Sequence, residues 1–132
     1  MRVLVDTSVW SLALRKKGPV DHPAVGGLSS LLHANENVFV TGLILQEVLQ
    51  AFPSEAPFRN VVRHLEPFPL LELERSDYVH AAGLHRRCAA KGVSVSTADC
   101  QIATAAIRHA CLLLTADRDF ERIARLSDLK LM

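Results

Sequence analysis

Short apolar runs alternate along the chain with longer stretches of helical periodicity, from one end to the other. Val3-Leu4-Val5 lies in a strand predicted over residues 2–6, and Val38-Phe39-Val40 forms a second. Leu70 to Glu74 alternates apolar and polar positions and predicts a third strand. Leu112–Thr115 reads as a fourth, and Leu129-Lys130-Leu131 as a last strand at the sheet edge. Helices are predicted between them: Thr7–Lys17, stopped by Gly18-Pro19; His22–Asn35, weakened by Gly26-Gly27; and Leu43–Phe52 after Gly42. Pro53 and Pro57 bracket a loop before a helix at Phe58–Leu65, Ser76 opens a helix that Gly92 closes, and Thr97–His109 and Phe120–Leu126 complete the set. Strands alternating with helices predict an α/β fold: a mainly parallel sheet with right-handed crossovers, covered by helices.

With no internal repeat, low-complexity segment or linker, residues 1–132 read as one domain, and 49% hydrophobic residues suit a sheet covered on both faces. No apolar stretch approaches the length of a membrane span. Asp6 interrupts the first apolar run, so the N-terminus does not read as a signal peptide. Cys88, Cys100 and Cys111 are odd in number and lack CxxC spacing, which predicts reduced thiols and a cytoplasmic location. The six histidines form no HxxxH or HExxH pair, which argues against zinc.

Net charge is only +1, so there is no global basic signature for nucleic acid. If four carboxylates are committed to a metal, ten acids remain against 15 Lys and Arg, a surface excess of about five positive charges. Arg15-Lys16-Lys17, Arg59 with Arg63, Arg86-Arg87 with Lys91, and Arg118 with Arg122 and Arg125 are the candidate phosphate-binding stretches, and any one of these is more often a solvated helix face.

Four acids carry the candidate chemistry. Asp6 ends the first apolar run and Asp117 follows the run Leu112-Leu113-Leu114, while ligands of open α/β sheets bind beyond the carboxyl ends of the strands. Asp99 opens the alanine-rich helix and Glu47 lies on an earlier one. Carboxylates brought together without a basic partner repel one another unless a cation joins them, and hard divalent ions such as Mg²⁺ prefer oxygen ligands. Each acid also has an ordinary reading. Asp6 before Thr7-Ser8 is a good helix N-cap. Asp99 falls on the apolar face with Ile102, Ala103, Ala106, Ile107 and Ala110, opposite Gln101, Thr104 and Arg108, where an uncompensated carboxylate is costly; yet Ser96-Thr97-Ala98-Asp99 also fits a capping box. Periodicity does not decide Glu47, which borders a stripe with Gln46 and Gln50. Of Asp117 and Asp119, Asp119 is the expected N-cap of the last helix, which leaves Asp117 at the strand end.

The segments VLVDTSVW (3–10), LILQEVLQ (43–50), STADCQIAT (96–104) and LLTADRDF (113–120) together resemble the four motifs of the PIN domain, and most of all the VapC toxins of toxin–antitoxin pairs. The resemblance covers essentially the whole chain. It implies a five-stranded parallel sheet flanked by helices and a Mg²⁺-dependent endoribonuclease, with Mn²⁺ as an alternative ion, that hydrolyses RNA phosphodiester bonds by metal-activated water. Carried onto this chain, it makes Asp6, Glu47, Asp99 and Asp117 the catalytic, metal-binding carboxylates, with Asp119, Thr7 and Thr115 in support. It further implies a homodimer and inhibition by a cognate antitoxin. A helix of that partner is expected against Val9, Trp10, Leu12 and Leu14, although Trp10 reads equally as ordinary core.

Three rival readings fit less well. A phosphotransfer domain of the haloacid-dehalogenase type would need a second Asp where Ser8 stands, and a receiver domain would need an acidic residue beyond the third strand rather than Glu72 and Glu74 within it. A flap nuclease would need an inserted helical arch. A non-catalytic PIN-like module that binds RNA or protein is the alternative, and such modules typically lose acids that are all present here.

Overall fold

Central strands of a parallel sheet are covered on both faces, so their sequences are apolar without alternation. The strand β1 (Arg2–Val5) follows that rule, with Val3, Leu4 and Val5 fully buried. In the computed structural model, which describes residues 1–15, 17–18 and 21–132, β1 is followed by α1 (Thr7–Ala13), α2 (Pro23–His33), β2 (Asn37–Thr41), α3 (Gly42–Leu49) and α4 (Glu55–Leu65). Next come β3 (Leu70–Leu71), α5 (Arg75–Ala90), α6 (Thr97–Arg108), β4 (Leu112–Leu114) and α7 (Asp119–Arg125).

The four strands form one parallel sheet in the order β3-β2-β1-β4, with Val3 paired to Val38 and Leu4 to Leu113. The chain leaves β1 for β2 on one side and returns as β4 on the other. The tips of β1 and β4 therefore meet at a topological switch point, the place where open α/β sheets bind their ligands. Below it, Leu4, Leu113, Ile44, Leu84, Ile102, Phe120 and Ile123 fill the core. Among the described residues, no helix is long and apolar enough to cross a membrane.

Several boundaries depart from the expected ones. The helix expected to run to Lys17 ends at Ala13, where Leu14 closes it by bonding to the Trp10 carbonyl. Its predicted stop at Gly18-Pro19 lies partly outside the described residues, as does Lys16. The loop expected around Pro57 is helix from Glu55. A proline in the first turn costs nothing there, because the N–H it lacks would have no intrahelical partner. The helix expected to reach Phe52 ends at Leu49, and Thr41 caps its start by accepting a bond from the Ile44 N–H at 3.1 Å. α5 begins one residue before Ser76, with the Asp77 Oδ2 accepting the Glu74 N–H at 2.7 Å. The third strand is two residues rather than five, and the strand expected at Leu129–Leu131 is a single parallel bridge between Leu131 and Leu113. Both lie at sheet edges, where only one neighbour supplies hydrogen bonds.

Three helices end alike, with a left-handed residue after the last turn and an N–H returning to a carbonyl five residues back. The left-handed residues are Gly92 for α5, Asn35 for α2 and Ala110 for α6, and the N–H groups belong to the residues after them: Val93 to Cys88, Glu36 to Leu31 and Cys111 to Ala106. The predicted apolar face of α6 is wider than the wheel suggested. Ile102, Ala103, Thr104, Ala105 and Ala106 are all buried, because α3, α5, α7 and β4 close on this helix from several sides. Ile107 is 36% exposed instead, and Ala110 lies beyond the helix end.

Candidate metal centre

β1 ends in Asp6, whose backbone N–H bonds to the Leu114 carbonyl of β4 at 2.9 Å, locking the two strand tips together. Asp6 occupies the N-cap position of α1, yet its side chain makes no capping bond and is 4% exposed. Its Oδ2 instead accepts the Ser8 hydroxyl at 2.7 Å and the Thr115 hydroxyl at 2.9 Å. Two O–H donors on one oxygen fix its direction. Ser8 also accepts the Ala116 N–H at 3.0 Å, and Thr115 accepts the Asp117 N–H at 3.0 Å, so the same hydroxyls shape the segment after β4. Ser8 was absent from the expected site; the only signal for it was its place in the Asp-Thr-Ser run.

Glu47 lies on α3, half-buried, and its Oε1 accepts the Thr7 hydroxyl at 2.9 Å. That bond ties the middle of α3 to the start of α1, one residue from Asp6. The expected N-cap of the last helix is corrected: the position is Arg118, which makes no side-chain capping bond, Asp119 is already inside the helix, and Asp117 just before it accepts the Asp119 N–H on its Oδ1 at 2.9 Å. Asp119 is the first residue of α7, half exposed, and its Oδ1 takes an Arg122 N–H at 2.7 Å.

Asp99, Asp117 and Asp119 each offer a carboxylate oxygen, and these oxygens lie within 4.8 Å of one another. Asp99 is in the first turn of α6, where Ser96 caps by accepting the Asp99 N–H at 3.0 Å. The Asp99 carboxyl is pushed up to about 6, first by burial and then by the charge of Asp117, with Asp6 and Asp119 adding to the effect and the Ser96 hydrogen bond opposing it. Asp6 and Asp119 thus act on the same carboxyl, whereas Glu47 stands outside that set and is held by Thr7, the neighbour of Asp6 in sequence. Three helix N-termini, of α1, α6 and α7, meet these acids and partly offset their charge.

The donor set fits a hard divalent cation. All candidate ligands are carboxylate oxygens, without imidazole or thiolate, which suits Mg²⁺ or Mn²⁺ rather than a softer metal. The raised proton affinity of Asp99 reports its burial first and the negative charge of Asp117 second, and a cation would offset both. The three cysteines are buried and free; burial raises the Cys100 thiol to about 11, which suits packing and not nucleophilic chemistry.

The groove expected from the early helices lies elsewhere than on Val9 and Trp10, which are core residues at 0% and 4% exposure, with Trp10 packed on Phe68. Leu14 instead joins Val48, Phe52, Pro53 and Pro57 around a cavity of about 250 Å³ at the far ends of α1 and α3.

Residues 3–126 match the PIN domain family. Ribonuclease VapC11 of Mycobacterium tuberculosis and the VapC ribonuclease Mb1587 of Mycobacterium bovis are each 31% identical to the chain, over 97% of its length and 96% of theirs. The fold is similar to that in a VapBC2 structure from Rickettsia felis bound to a promoter DNA fragment, with a TM-score of 0.79 at 18% identity, covering 100% of this chain and 98% of that one. It is also similar to VapBC-1 from nontypeable Haemophilus influenzae, with a TM-score of 0.77 at 19% identity, covering 100% and 97%. With the strand-end carboxylates at the switch point and a match along nearly its whole length, the chain belongs to the PIN-domain family, among the relatives of VapC.

Proposed function

We propose that this protein is a metal-dependent endoribonuclease that acts as the toxin of a type II toxin–antitoxin pair. The observation that carries the reading is the convergence of Asp99, Asp117 and Asp119 to ligand distance beside the doubly hydrogen-bonded Asp6. The names of the VapC relatives support RNA as the substrate. Asp6, Glu47, Asp99 and Asp117, with Asp119, would hold the ion. Bound there, Mg²⁺ or Mn²⁺ would supply positive charge against the phosphate oxygens and make water at the site more acidic. Ser8 and Thr115 aim Asp6, and Thr7 does the same for Glu47. The N-termini of α6 and α7 favour negative charge at the site, that of the substrate phosphate included.

The VapBC structures of the same fold support a protein partner. Its apolar segment would occupy the groove around Leu14, Val48 and Phe52. The groove lies at the carboxyl ends of α1 and α3 and the Thr7–Glu47 bond at the start of α1, roughly 10 Å away along that seven-residue helix, so a short extension carrying Arg or Lys would reach the carboxylates. The reading includes a homodimer acting on cytoplasmic RNA.

Purified protein, freed of any partner, should cut RNA with Mg²⁺ or Mn²⁺ and stop when EDTA is added. Cleavage undiminished by EDTA would sink the mechanism.

A further inference from the structure

Two adjoining clefts open on the side of α6 away from Asp99. Gln101 follows Asp99 by two residues and so points roughly 200° around the helix from it. The first cleft, of about 400 Å³, is lined by Leu43, Gln46, Leu70, Glu72, Tyr78 and Gln101, among others. The second, of about 390 Å³, includes Tyr78, His85, Arg86, Thr97 and Gln101. Tyr78 and Gln101 thus form the shared wall. The Tyr78 ring is half exposed and Leu70 is 47% exposed, so aromatic and apolar surface faces solvent beside two carboxamides.

The chemistry of the two clefts differs in a regular way. Among its lining residues the first holds no cation, and its one charge is the Glu72 carboxylate, so it disfavours a phosphate. Its carboxamides donate and accept in the manner of a base edge, and a carboxylate accepts from an exocyclic amine. The second carries Arg86 and His85, which suit a phosphate. An aromatic wall between a base-like and a phosphate-like cleft is the arrangement by which single strands are held, with stacking supplied by the ring. Both clefts lie at the carboxyl-end edge of the parallel sheet, the edge that also carries Asp6, since the first includes Thr41 at the end of β2 and Leu71 at the end of β3, and the second includes Thr97 at the start of α6.

We propose that these clefts hold one nucleotide of single-stranded RNA beside the cleaved bond, its base stacked on Tyr78 and read by Gln46, Gln101 and Glu72, and its phosphate held by Arg86. The proposal rests on the ribonuclease reading above. It assigns a preference for bases that carry an exocyclic amine, adenine or cytosine over uracil, because Glu72 offers only acceptors.

Cleavage of short single-stranded RNAs that differ at one base tests this, with anisotropy of labelled RNA on the Asp99→Asn protein as the binding readout. Tyr78→Ala should weaken binding and raise KM by roughly tenfold or more, Tyr78→Phe should retain both, and Glu72→Gln should reduce the preference for adenine over uracil. Thermal melts should stay unchanged, because these side chains are exposed. If the unmodified protein cleaves RNA with Mg²⁺ while Tyr78→Ala keeps its KM and base preference, the proposal is overturned and the ribonuclease reading stands. A Tyr78→Ala protein that halves in mass by light scattering with unchanged RNA affinity also overturns it, and makes this face a contact between copies. If the unmodified protein neither binds nor cleaves RNA in Mg²⁺ or Mn²⁺, both readings fall together.

Discussion

The Thr115 hydroxyl donates to Asp6 Oδ2 at 2.9 Å across 109 residues of sequence and accepts the backbone N–H of Asp117 at 3.0 Å. One side chain thereby fixes both strand-end aspartates. The contact follows from sheet register: Val5 pairs with Leu114, so the residues just beyond them, Asp6 and Thr115, stand side by side. Thr115→Val keeps the shape and removes the hydroxyl. Losing a hydrogen bond to a buried carboxylate should cost about 1–3 kcal/mol of stability, read by urea denaturation. Loss of such a supporting contact should also weaken activation by Mg²⁺ or Mn²⁺ by roughly 10–100-fold in a metal titration of RNA cleavage.

Asp99→Asn should abolish RNA cleavage and stabilise the metal-free protein. The carboxyl titrates near 6 when folded, against 3.8 as its ordinary value. A carboxyl held above its unfolded value binds its proton more tightly in the folded state. Its contribution to stability is therefore greatest below about pH 4 and is lost as pH rises through 6. Melts in EDTA should show the Asn protein gaining most over the parent at pH 7 and least near pH 4. Mg²⁺ should narrow the gap at pH 7. A variant that melts well below the parent at pH 7 would mean that Asp99 serves mainly the start of α6.

Asp77 is 2% exposed, accepts the Glu74 N–H at 2.7 Å and meets Arg108 Nε at 3.0 Å, joining α5 to α6. Arg108 is one-third exposed and can return to water, so the pair counts for less than a fully buried one. Asp77→Asn is expected to cost about 1–3 kcal/mol, with metal-dependent cleavage preserved at temperatures below the melt.

Ala110 adopts φ 54° at the end of α6, where the matching turn of α5 uses Gly92 at φ 72°. A left-handed residue with a Cβ is strained by about 1–2 kcal/mol, and glycine gives part of that back through its freer unfolded chain. Ala110→Gly should therefore raise stability by about 0.5–1 kcal/mol, seen as a higher urea midpoint at unchanged slope.

Leu14→Glu places a charge in the apolar groove at the ends of α1 and α3. RNA cleavage by the free protein should be unaffected, while retention of the product of the adjacent gene during co-purification should fall. If that product neither co-purifies with the parent nor suppresses its cleavage, the toxin reading fails even where the nuclease reading holds.

Local patterning was enough for the architecture, because it depends on periodicity along the chain. The unbroken apolar run of β1 marks a strand covered on both faces, and the helical stretches between strands force parallel pairing. The same patterning placed Asp6, Asp99 and Asp117 next to strand tips or a helix start. It could not say what their side chains do. Asp6 looks like an N-cap in sequence, yet β4 brings it a better partner in Thr115. Asp117 outcompetes Asp119 for the turn because of the path the chain takes on leaving β4. The burial of Asp77 and Thr104 was equally hidden, since each depends on what α5, α7 and β4 pack against α6. Val9 reads as a partner contact and Trp10 equally as a contact or as core; the tertiary packing makes both core, with Phe68 against Trp10. Periodicity reports which face of an element is apolar; only the packing of elements distant in sequence decides which polar groups meet there, and a hydrogen bond spanning 109 residues leaves no trace in either local window.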